Sequence, residues 1–268
     1  MNTVQFQKKI LTYYSSHKRD FAWRRTTDPY AITVSEIMLQ QTQVDRVEPK
    51  FVAFVKAFPT WRALDRAPMG RVLRAWQGLG YNRRAVMLKK LAHAVVHECG
   101  GKLPEDKEEL EKLPGIGPYT SGAIRAFALN KPSVFLDTNI RRVYLYFFFP
   151  RAKNVSDDRV REKIAETMDR KNPRRFFNAL MDYGAYLAAQ GENPNRRSRH
   201  YVKQAPFEGS RRKVRGEIMR LMVKRGAMTL SALRKELPPS PHKTEAVVSD
   251  LVREGMLRRR GDRIAIAR

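Results

Sequence analysis

Cysteine is almost absent from this sequence: among 268 residues there is one, Cys99. A single thiol cannot form an internal disulfide or a multi-thiolate metal site, which excludes a disulfide-stabilised scaffold and favours a reducing compartment. Long apolar runs are also missing, and the first 23 residues contain no unbroken apolar stretch of the kind found in a signal peptide. We therefore expect an intracellular protein of the cytoplasm or nucleoid, with no membrane partner.

Acidic residues are scarce relative to basic ones. The chain has 53 Lys+Arg against 27 Asp+Glu, which gives a net charge of +26. This excess is far larger than solubility requires and indicates a polyanionic partner, with nucleic acid as the first candidate. Because 42% of the residues are hydrophobic, the chain can build a sizeable core and is not a disordered polycation.

Histidines with metal-ligand spacing are lacking as well. Of the five histidines, only His93 and His97 stand one helical turn apart, and the spacing of the sequence gives this pair no third ligand. Zinc sites in proteins use three or four side-chain ligands. We therefore predict no metal site formed by side chains.

Helical periodicity dominates residues 1–190. Apolar residues recur at intervals of three and four, as in Val44–Val55 and Leu88–Val95, and short turns with Pro or Gly separate these segments. A further helix is predicted to begin near Thr138. No β-rich alternating stretch of any length is present, so this part of the chain is predicted to be all-α.

The composition changes after residue 190. Residues 191–210 are polar, basic and interrupted by proline, which predicts a linker or surface loop. Residues 211–268 predict three helices followed by a β-hairpin, the order of a small α+β winged helix-turn-helix domain. From residue 195 onward there are 20 Lys+Arg and 7 Asp+Glu, so about half of the net charge lies in this basic tail.

Two glycines and two prolines stand before a helix-like run in the stretch LPGIGP, residues 113–118. Glycine at 115 and 117 removes Cβ atoms and allows positive φ, so the N–H groups of both residues can point outward at the start of the next helix, where Pro118 suits the first turn. Such a helix end can bind an anion. An ordinary helix–helix turn is the alternative, since the spacing itself is common.

Two further motifs carry carboxylates. On a continuous helix, Glu36, Gln40 and Gln43 would share one face that could contact base edges, although a solvated helix face is the alternative. Asp137 follows an apolar run and precedes the helix predicted near Thr138. It is a good N-cap, and donors at the helix start would keep its carboxylate ionised beside a developing positive charge.

Four stretches over residues 5–190 resemble, in order and spacing, the helix-hairpin-helix, Gly/Pro-Asp DNA glycosylase superfamily, and within it the adenine-specific mismatch glycosylases. They are FAWRRTTDPYAITVSEIMLQQTQVDRVEPKF, WQGLGYNRRA, LPGIGPYTSGAI and FLDTNIRRV. The resemblance implies an all-α, two-lobe domain over residues 1–190 with its active site in the cleft between the lobes. It also implies a base excision repair enzyme that flips a mispaired base out of double-stranded DNA and hydrolyses its N-glycosidic bond.

The base that is excised stays open. Adenine opposite 8-oxoguanine or guanine is the first candidate, and mismatched thymine, uracil or a modified pyrimidine is the second. An alternative of a different class is a non-catalytic DNA-binding protein that acts through its winged helix. We expect the chain to be monomeric and its partner to be DNA with a mismatch or a damaged base.

The resemblance also assigns roles to individual residues. Asp137 matches the catalytic aspartate, Glu36 the glutamate that protonates the departing base, and Asn139 an asparagine near the aspartate. Tyr119 stands where glycosylase-lyases carry a nucleophilic lysine, and a phenol cannot form a Schiff base, so no strong AP-lyase activity is expected. DNA contacts are assigned to Gln40, Gln41, Thr42, Gly80, Tyr81, Gly115 and Gly117. The chain from residue 191 lies outside the resemblance, and there the basic residues Arg196, Arg197, Arg211 and Arg212 are expected to bind DNA because of their charge.

The sequence departs from the family at its usual iron–sulfur cluster. The family carries four cysteines spaced C-x6-C-x2-C-x5-C, and the corresponding residues 185–212 contain none. Ligand count thus excludes a cluster, and the basic segment 191–210 is expected to take over its DNA contact. The remaining cofactor expected from the resemblance is a monovalent cation, K⁺ or Na⁺, at the backbone of residues 113–118.

Overall fold

The computed structural model describes residues 1–191, 193–203, 206–240 and 242–267. Most of these residues lie in helices, and a small sheet stands near the C-terminus. The helices are α1 (Thr3–His17), α2 (Pro29–Leu39), α3 (Val44–Ala57), α4 (Trp61–Arg66), α5 (Met69–Trp76), α6 (Arg83–His97), α7 (Lys107–Lys112), α8 (Pro118–Phe127), α9 (Thr138–Phe147), α10 (Asp157–Thr167), α11 (Pro173–Ala189), α12 (Arg211–Arg225), α13 (Leu230–Glu236) and α14 (Thr244–Arg253). The strands are β1 (Ala227–Thr229), β2 (Leu257–Arg260) and β3 (Arg263–Ile266).

The chain divides into two compact units. Unit 1 comprises Met1–Glu36, Pro104–Lys112 and Ile116–Lys203, and unit 2 comprises Ile37–Leu103, Leu113–Gly115 and Gln204–Arg268. The predicted domain boundaries, at residues 190 and 210, stay a prediction, as does the cleft between lobes. Three residues of the predicted linker, Glu192, Gln204 and Ala205, lie outside the described residues.

An aromatic core holds α1 against α9 and α11 in unit 1. Phe6 and Tyr144 are fully buried and their ring centroids are 5.2 Å apart. Phe176 on α11 meets Phe6 edge-on at 6.4 Å. The Tyr144 hydroxyl shares a 2.7 Å hydrogen bond with Oγ1 of Thr167, so the one polar atom of this buried ring has a partner. This packing fixes α9, whose N-terminus carries Asp137.

In the first part of unit 2, helices α3 to α6 bury an apolar core around Trp76, which is fully buried. Short helix α4 packs on α6, and Nζ of Lys89 on α6 donates to the main-chain oxygens of Leu64 and Asp65 at the end of α4. The carbonyl of Leu64 also accepts from the N–H of Ala67, so the Lys89 bond matters most for the carbonyl of Asp65 at the helix end.

The basic tail contains the three predicted helices, α12, α13 and α14, and the predicted hairpin, β2–β3. The hairpin turns at Gly261, which has φ +58°. The sheet order is β1-β3-β2, and β1 pairs antiparallel with β3, with Met228 opposite Ile264. Strand β1 was not predicted, because three residues are too few to show an alternating pattern. No helix within the described ranges is long and apolar enough to cross a membrane.

Candidate active site

Asp137 is the N-cap of α9 in unit 1, as predicted. Its backbone is extended, with φ −118° and ψ −174°, and its Oδ1 accepts a 2.7 Å hydrogen bond from the N–H of Ile140. Burial raises the pKa of the Asp137 carboxyl, and hydrogen bonds from the backbone of Ile140 and Asn139 oppose that rise. The expected capping donors are present, but burial outweighs them in setting the direction of the pKa shift.

Asn139 is held beside Asp137 by a short chain of hydrogen bonds. Its Nδ2 lies 3.3 Å from Oδ2 of Asp137, and its Oδ1 accepts a 2.8 Å hydrogen bond from Arg142. The same Arg142 nitrogen donates to the carbonyl of Gly184 on α11 at 2.7 Å. An added Cβ at Gly184 would lie 2.6 Å from the main-chain oxygen of Asn139. Glycine at 184 therefore lets α11 approach the start of α9 closely.

Glu36 lies on α2 and is 5% exposed, so the alternative of a solvated helix face is wrong. Oε2 of Glu36 accepts a 2.7 Å hydrogen bond from the hydroxyl of Tyr119 on α8. Burial raises the pKa of Glu36 to about 7; the Tyr119 hydrogen bond lowers it, and the nearby Asp137 carboxylate raises it. Glu36 is therefore a carboxyl group that is poised to hold or release a proton near neutral pH.

Tyr119 completes this cluster of buried titratable groups. Burial, together with the charges of Glu36 and Asp137, raises the pKa of its phenol well above 10. Tyr119 thus remains neutral, and its hydroxyl donates a hydrogen bond to Oε2 of Glu36. Its ring meets Phe135 edge-on at 5.7 Å, and an added Cβ at Gly122 of α8 would lie 2.6 Å from Cβ of Phe135. The chain segment that leads into Asp137 thus packs closely against α8.

Sequence reasoning missed a buried ion-pair cluster next to these residues. Asp182 on α11 is 2% exposed and accepts hydrogen bonds from Arg24, at 2.8 and 2.9 Å, and from Arg19, at 2.6 Å. The positive charge of Arg24 also acts to lower the pKa of Glu36. The pairing joins residues about 160 positions apart, so no local pattern could have revealed it.

The predicted shared face of Glu36, Gln40 and Gln43 does not form. Helix α2 ends at Leu39, Gln40 and Gln41 lie in the following turn, and Gln43 is the N-cap of α3. Gln41 has φ +54°, a left-handed conformation that is uncommon for residues other than glycine. The predicted face assumed that the helix continued through the LQQT stretch.

In unit 2, the guanidinium group of Arg84 joins this turn to the GLGY turn. It donates a 2.9 Å hydrogen bond to Oγ1 of Thr42 and a 3.1 Å bond to the carbonyl of Gly80. Further acceptors are the main-chain oxygens of Ile37, Met38, Gln40 and Leu79. Tyr81 follows Gly80 with φ +46°, and its ring lies 5.5 Å from the guanidinium carbon of Arg84. The single side chain thus fixes the backbone of both turns in which DNA contacts were predicted.

The LPGIGP stretch forms the turn between α7 and α8. Gly115 uses the positive φ that glycine allows, with φ +80°, and an added Cβ there would approach Cβ of Met87 to 3.0 Å. Gly117 does not use it, because this residue has φ −110° and ψ −177°, which any residue can adopt. Gly117 is instead the N-cap of α8 and offers no side-chain cap, and Pro118 is the first helical residue. The first-turn N–H groups of α8 are therefore left without a side-chain cap.

The region that corresponds to the cluster-binding segment contains no thiol, so its residues do not fit an iron–sulfur cluster. In unit 1 it forms a short 3₁₀ turn, Pro194–Arg197, that packs on α9. Nδ2 of Asn195 donates to the carbonyl of Thr138 at 3.1 Å, and Arg197 donates to the carbonyl of Leu145 at 3.2 Å. Arg196 is exposed, whereas Arg197 is half-buried and supports α9.

The two other predicted basic contacts lie at the start of α12 in unit 2. Arg211 is exposed and forms an ion pair with Asp250. Arg212 donates a 3.0 Å hydrogen bond to the hydroxyl of Tyr81. This bond brings the basic tail to the GLGY turn, a relationship that the sequence did not indicate.

A groove of about 1210 Å³ in unit 2 lies between α12 and the two turns formed by LQQT and GLGY. One wall contains the LQQT and GLGY turns, and the other contains α12. Its charged lining residues are Arg46, Arg83, Arg84, Arg212, Arg215, Arg220 and Glu254. The one acidic group, Glu254, is paired with Arg215 at 2.6 Å. The groove is thus strongly basic, as a phosphate-binding surface would be.

Comparisons with known proteins agree with these features. Residues 34–170 match the model of the family described as HhH-GPD superfamily base excision DNA repair protein. The chain is 35% identical over 199 residues to the adenine DNA glycosylase of Buchnera aphidicola, an alignment that covers 72% of this chain and 56% of that protein. It is 32% identical over 187 residues to the thymine/uracil-DNA glycosylase of Methanothermobacter thermautotrophicus, covering 69% of this chain and 85% of the relative.

A solved structure of a thermostable thymine-DNA glycosylase is also similar. It superposes with a TM-score of 0.63 at 28% identity, over 69% of this chain and 87% of that one. The chain spans little more than half the length of the adenine-specific relative and most of the length of the pyrimidine-specific one. Together, the family match and these similarities show that the chain belongs to the HhH-GPD superfamily of base excision DNA repair proteins.

Proposed function

We propose that this chain is a monofunctional DNA glycosylase that extrudes a base from double-stranded DNA and hydrolyses its N-glycosidic bond. The observation that carries the proposal is the cluster of Glu36, Tyr119 and Asp137. It places a carboxyl group with a pKa of about 7 beside a second carboxyl group capped by a helix N-terminus. A pair of carboxyl groups in different environments can supply an acid and an ion for glycosidic bond cleavage.

Glu36 is the proposed general acid. With a pKa of about 7, a substantial fraction of this group carries a proton at neutral pH. Proton transfer to the departing base, at N7 if the base is adenine, converts a poor leaving group into a neutral one. The Tyr119 hydroxyl keeps Oε2 of Glu36 occupied, so it orients the carboxyl group and leaves Oε1 for the base.

Asp137 is the proposed stabiliser of the positive charge that develops on the sugar. Its Oδ1 is engaged by the N–H of Ile140, and its Oδ2 faces Nδ2 of Asn139. An oxocarbenium-like sugar beside the carboxylate would favour its ionised form and so offset the cost of burial. Asn139 is the proposed positioning residue, because its own amide is fixed by Arg142.

Tyr119 supports the absence of strong AP-lyase activity. A phenol cannot form a Schiff base with C1′ of the sugar, and the pKa of this phenol is raised further by burial and by two carboxylates. Treatment of an enzyme–DNA reaction with borohydride should therefore trap no covalent complex. A trapped complex would contradict the monofunctional mechanism. It would not contradict the proposal that the protein releases a base.

DNA binding is proposed to use three features of the chain. The uncapped start of α8 and the turn at Gly115 would hold a backbone phosphate, together with a monovalent cation. The LQQT and GLGY turns would enter the duplex with Gln40, Gln41, Thr42, Gly80 and Tyr81. In unit 2, the basic groove with Arg212, together with Arg211, would bind further phosphates; in unit 1, the exposed Arg196 and its neighbour Arg197 would do the same. The protein is proposed to act as an intracellular monomer.

Two classes of base remain candidates. Adenine opposite 8-oxoguanine or guanine is favoured by the adenine-specific relatives. Mismatched thymine or uracil is favoured by the pyrimidine-specific relative, of which the alignment covers 85%, and by the similar thymine-DNA glycosylase structure.

The basic tail, residues 211–268, is proposed to be a winged helix that binds DNA.

A substrate panel tests the proposal. Duplexes with adenine opposite 8-oxoguanine, adenine opposite guanine, and thymine or uracil opposite guanine are incubated with the full chain, and abasic sites are cleaved with alkali. Release of adenine supports the first candidate, and release of pyrimidines alone supports the second. Tight binding without release of any base would favour the alternative of a non-catalytic DNA-binding protein.

A further inference from the structure

Three side chains of types that bind metal ions meet on the surface of unit 2. Asp65 lies on α4, and His93 and His97 lie one turn apart on α6. Nδ1 of His93 is 3.0 Å from Oδ1 of Asp65, and Nε2 of His97 is 3.0 Å from Oδ2 of Asp65. One ligand atom from each of the three side chains lies within 4.8 Å of the other two. The spacing of the sequence gave the histidine pair no third ligand. In the fold, Asp65 of another helix, α4, provides one.

The geometry suits a small divalent cation. In a tetrahedral zinc site with bonds of about 2.0–2.1 Å, neighbouring ligand atoms stand about 3.3–3.4 Å apart. Each nitrogen lies 3.0 Å from a different oxygen of Asp65, which is close to that value, and one ligand atom from each of the three residues lies within 4.8 Å of the other two. Rotation of the carboxyl group and of the imidazoles could therefore bring both nitrogens and one oxygen to bonding distance of a single ion. Two imidazole nitrogens and one carboxylate oxygen, with a position left for water, form a common zinc ligand set.

The surroundings keep the three ligand groups available. The histidine side chains are 63% and 53% exposed, so ions in solution can reach them, whereas the Asp65 side chain is 13% exposed and fixed in place. The ammonium group of Lys89 donates to the main-chain oxygens of Leu64 and Asp65 and not to the Asp65 carboxylate. It thus leaves both carboxylate oxygens of Asp65 to the imidazoles.

We propose that Asp65, His93 and His97 bind Zn²⁺ or a similar divalent transition-metal ion and that the ion joins α4 to the C-terminal end of α6. The site is independent of the proposed glycosylase chemistry. The alternative is that the three side chains only form hydrogen bonds with one another and bind no ion.

The test is a calorimetric titration of the full chain, first stripped with a chelator, with ZnCl₂. We expect one Zn²⁺ per chain. In both Asp65→Asn and His97→Ala, affinity should fall at least roughly 10- to 100-fold, the loss that even an outer partner of a metal ligand causes. Zn²⁺ should also raise the melting temperature of the wild type more than that of either variant, which gives a readout that does not depend on activity.

Two control variants make the assignment specific. His17→Ala removes an exposed histidine of α1, and Cys99→Ser removes the thiol two residues after His97; both should retain the wild-type affinity. The proposal is overturned if the wild type shows no saturable binding or if Asp65→Asn and His97→Ala bind as the wild type does. It is also overturned if Cys99→Ser abolishes binding, since the thiol would then be the ligand. Circular dichroism confirms that each variant is folded.

Discussion

The hydroxyl of Tyr119 donates a 2.7 Å hydrogen bond to Oε2 of Glu36. The bond favours the ionised form of Glu36, whereas burial and the nearby Asp137 favour the protonated form. The pKa of about 7 is the balance of these opposing effects. Tyr119 therefore sets the pH range in which Glu36 can act as an acid.

Replacement of Tyr119 by phenylalanine should move that range upward. Without the hydroxyl donor, the pKa of Glu36 should rise by about 1–2 units, since a hydrogen bond to a charged group contributes about 1.5–3 kcal/mol and one unit corresponds to about 1.4 kcal/mol. The alkaline limb of the pH–rate profile for base release should shift to higher pH by the same amount. An unchanged limb, or a shift to lower pH, would show that another group governs it.

Glu36 also makes stability depend on pH. Its pKa in the folded chain, about 7, lies above the ordinary value of 4.5. The neutral carboxyl group therefore stabilises the fold fully below pH 4.5, and this contribution is lost as the pH rises through 7. Over that interval the free energy of unfolding should fall by about 3 kcal/mol from this group.

The variant Glu36→Gln should lack this component. The wild type should lose stability between pH 5 and pH 8, whereas Glu36→Gln should not lose this part. The difference in free energy of unfolding, variant minus wild type, should therefore increase over this range, as measured by urea denaturation at each pH. Glu162→Gln, which changes an exposed glutamate on α10, should follow the wild type throughout. Parallel pH profiles for the wild type and Glu36→Gln would mean that Glu36 titrates near its ordinary value.

Close packing at Gly184 should be needed for the position of Asp137. In Gly184→Ala the new Cβ would overlap the main-chain oxygen and Cβ of Asn139, at 2.6 and 2.7 Å, and would push the start of α9 away from α11. We expect base release to fall at least about 10-fold and stability to drop by about 1–3 kcal/mol. Gly216→Ala is the matched control, since Gly216 on α12 has no atom within 4 Å of an added Cβ. It should raise stability slightly. Because Gly216 lines the basic groove, the comparison is made on stability, and an equal loss of stability in the two variants would contradict the packing argument.

Arg84 should be irreplaceable by lysine. Its guanidinium group bonds to Oγ1 of Thr42 and to carbonyl oxygens of both turns, whereas one ammonium group cannot reach acceptors spread in this way. Arg84→Lys should cost about 2 kcal/mol or more, because buried acceptors lose their donor. It should also weaken binding to duplex DNA. Arg83→Lys, which changes the exposed neighbour, should leave stability within about 0.5 kcal/mol of the wild type.

Local sequence patterns predicted the parts of the fold that local chemistry determines. The helix that begins at Thr138, the Asp137 cap and the β2–β3 hairpin follow from spacing, capping and turn residues, and the structure confirms them. The helical pattern of α2 was wrongly extended beyond Leu39. The residues LQQT do not indicate a turn, because the turn is fixed by Arg84, which lies more than 40 residues later in the chain.

The electrostatics of the site could not be derived from the sequence alone. The pKa of Glu36 depends on its burial and on Tyr119, 83 positions away. The resemblance to a glycosylase family pointed to these residues together, but the hydrogen bond between them required the structure. The contacts of Asp65 with His93 and His97 could not be predicted either, because they depend on the packing of α4 on α6.

The most direct test of the central claim is single-turnover base release by the wild type, Glu36→Gln and Asp137→Asn on the best duplex of the panel. Asparagine caps a helix as well as aspartate does, so both variants should fold and bind the duplex as the wild type does. We predict that each change slows release by about 10²–10⁴-fold. Release by either variant at the wild-type rate would contradict the assignment of that carboxyl group.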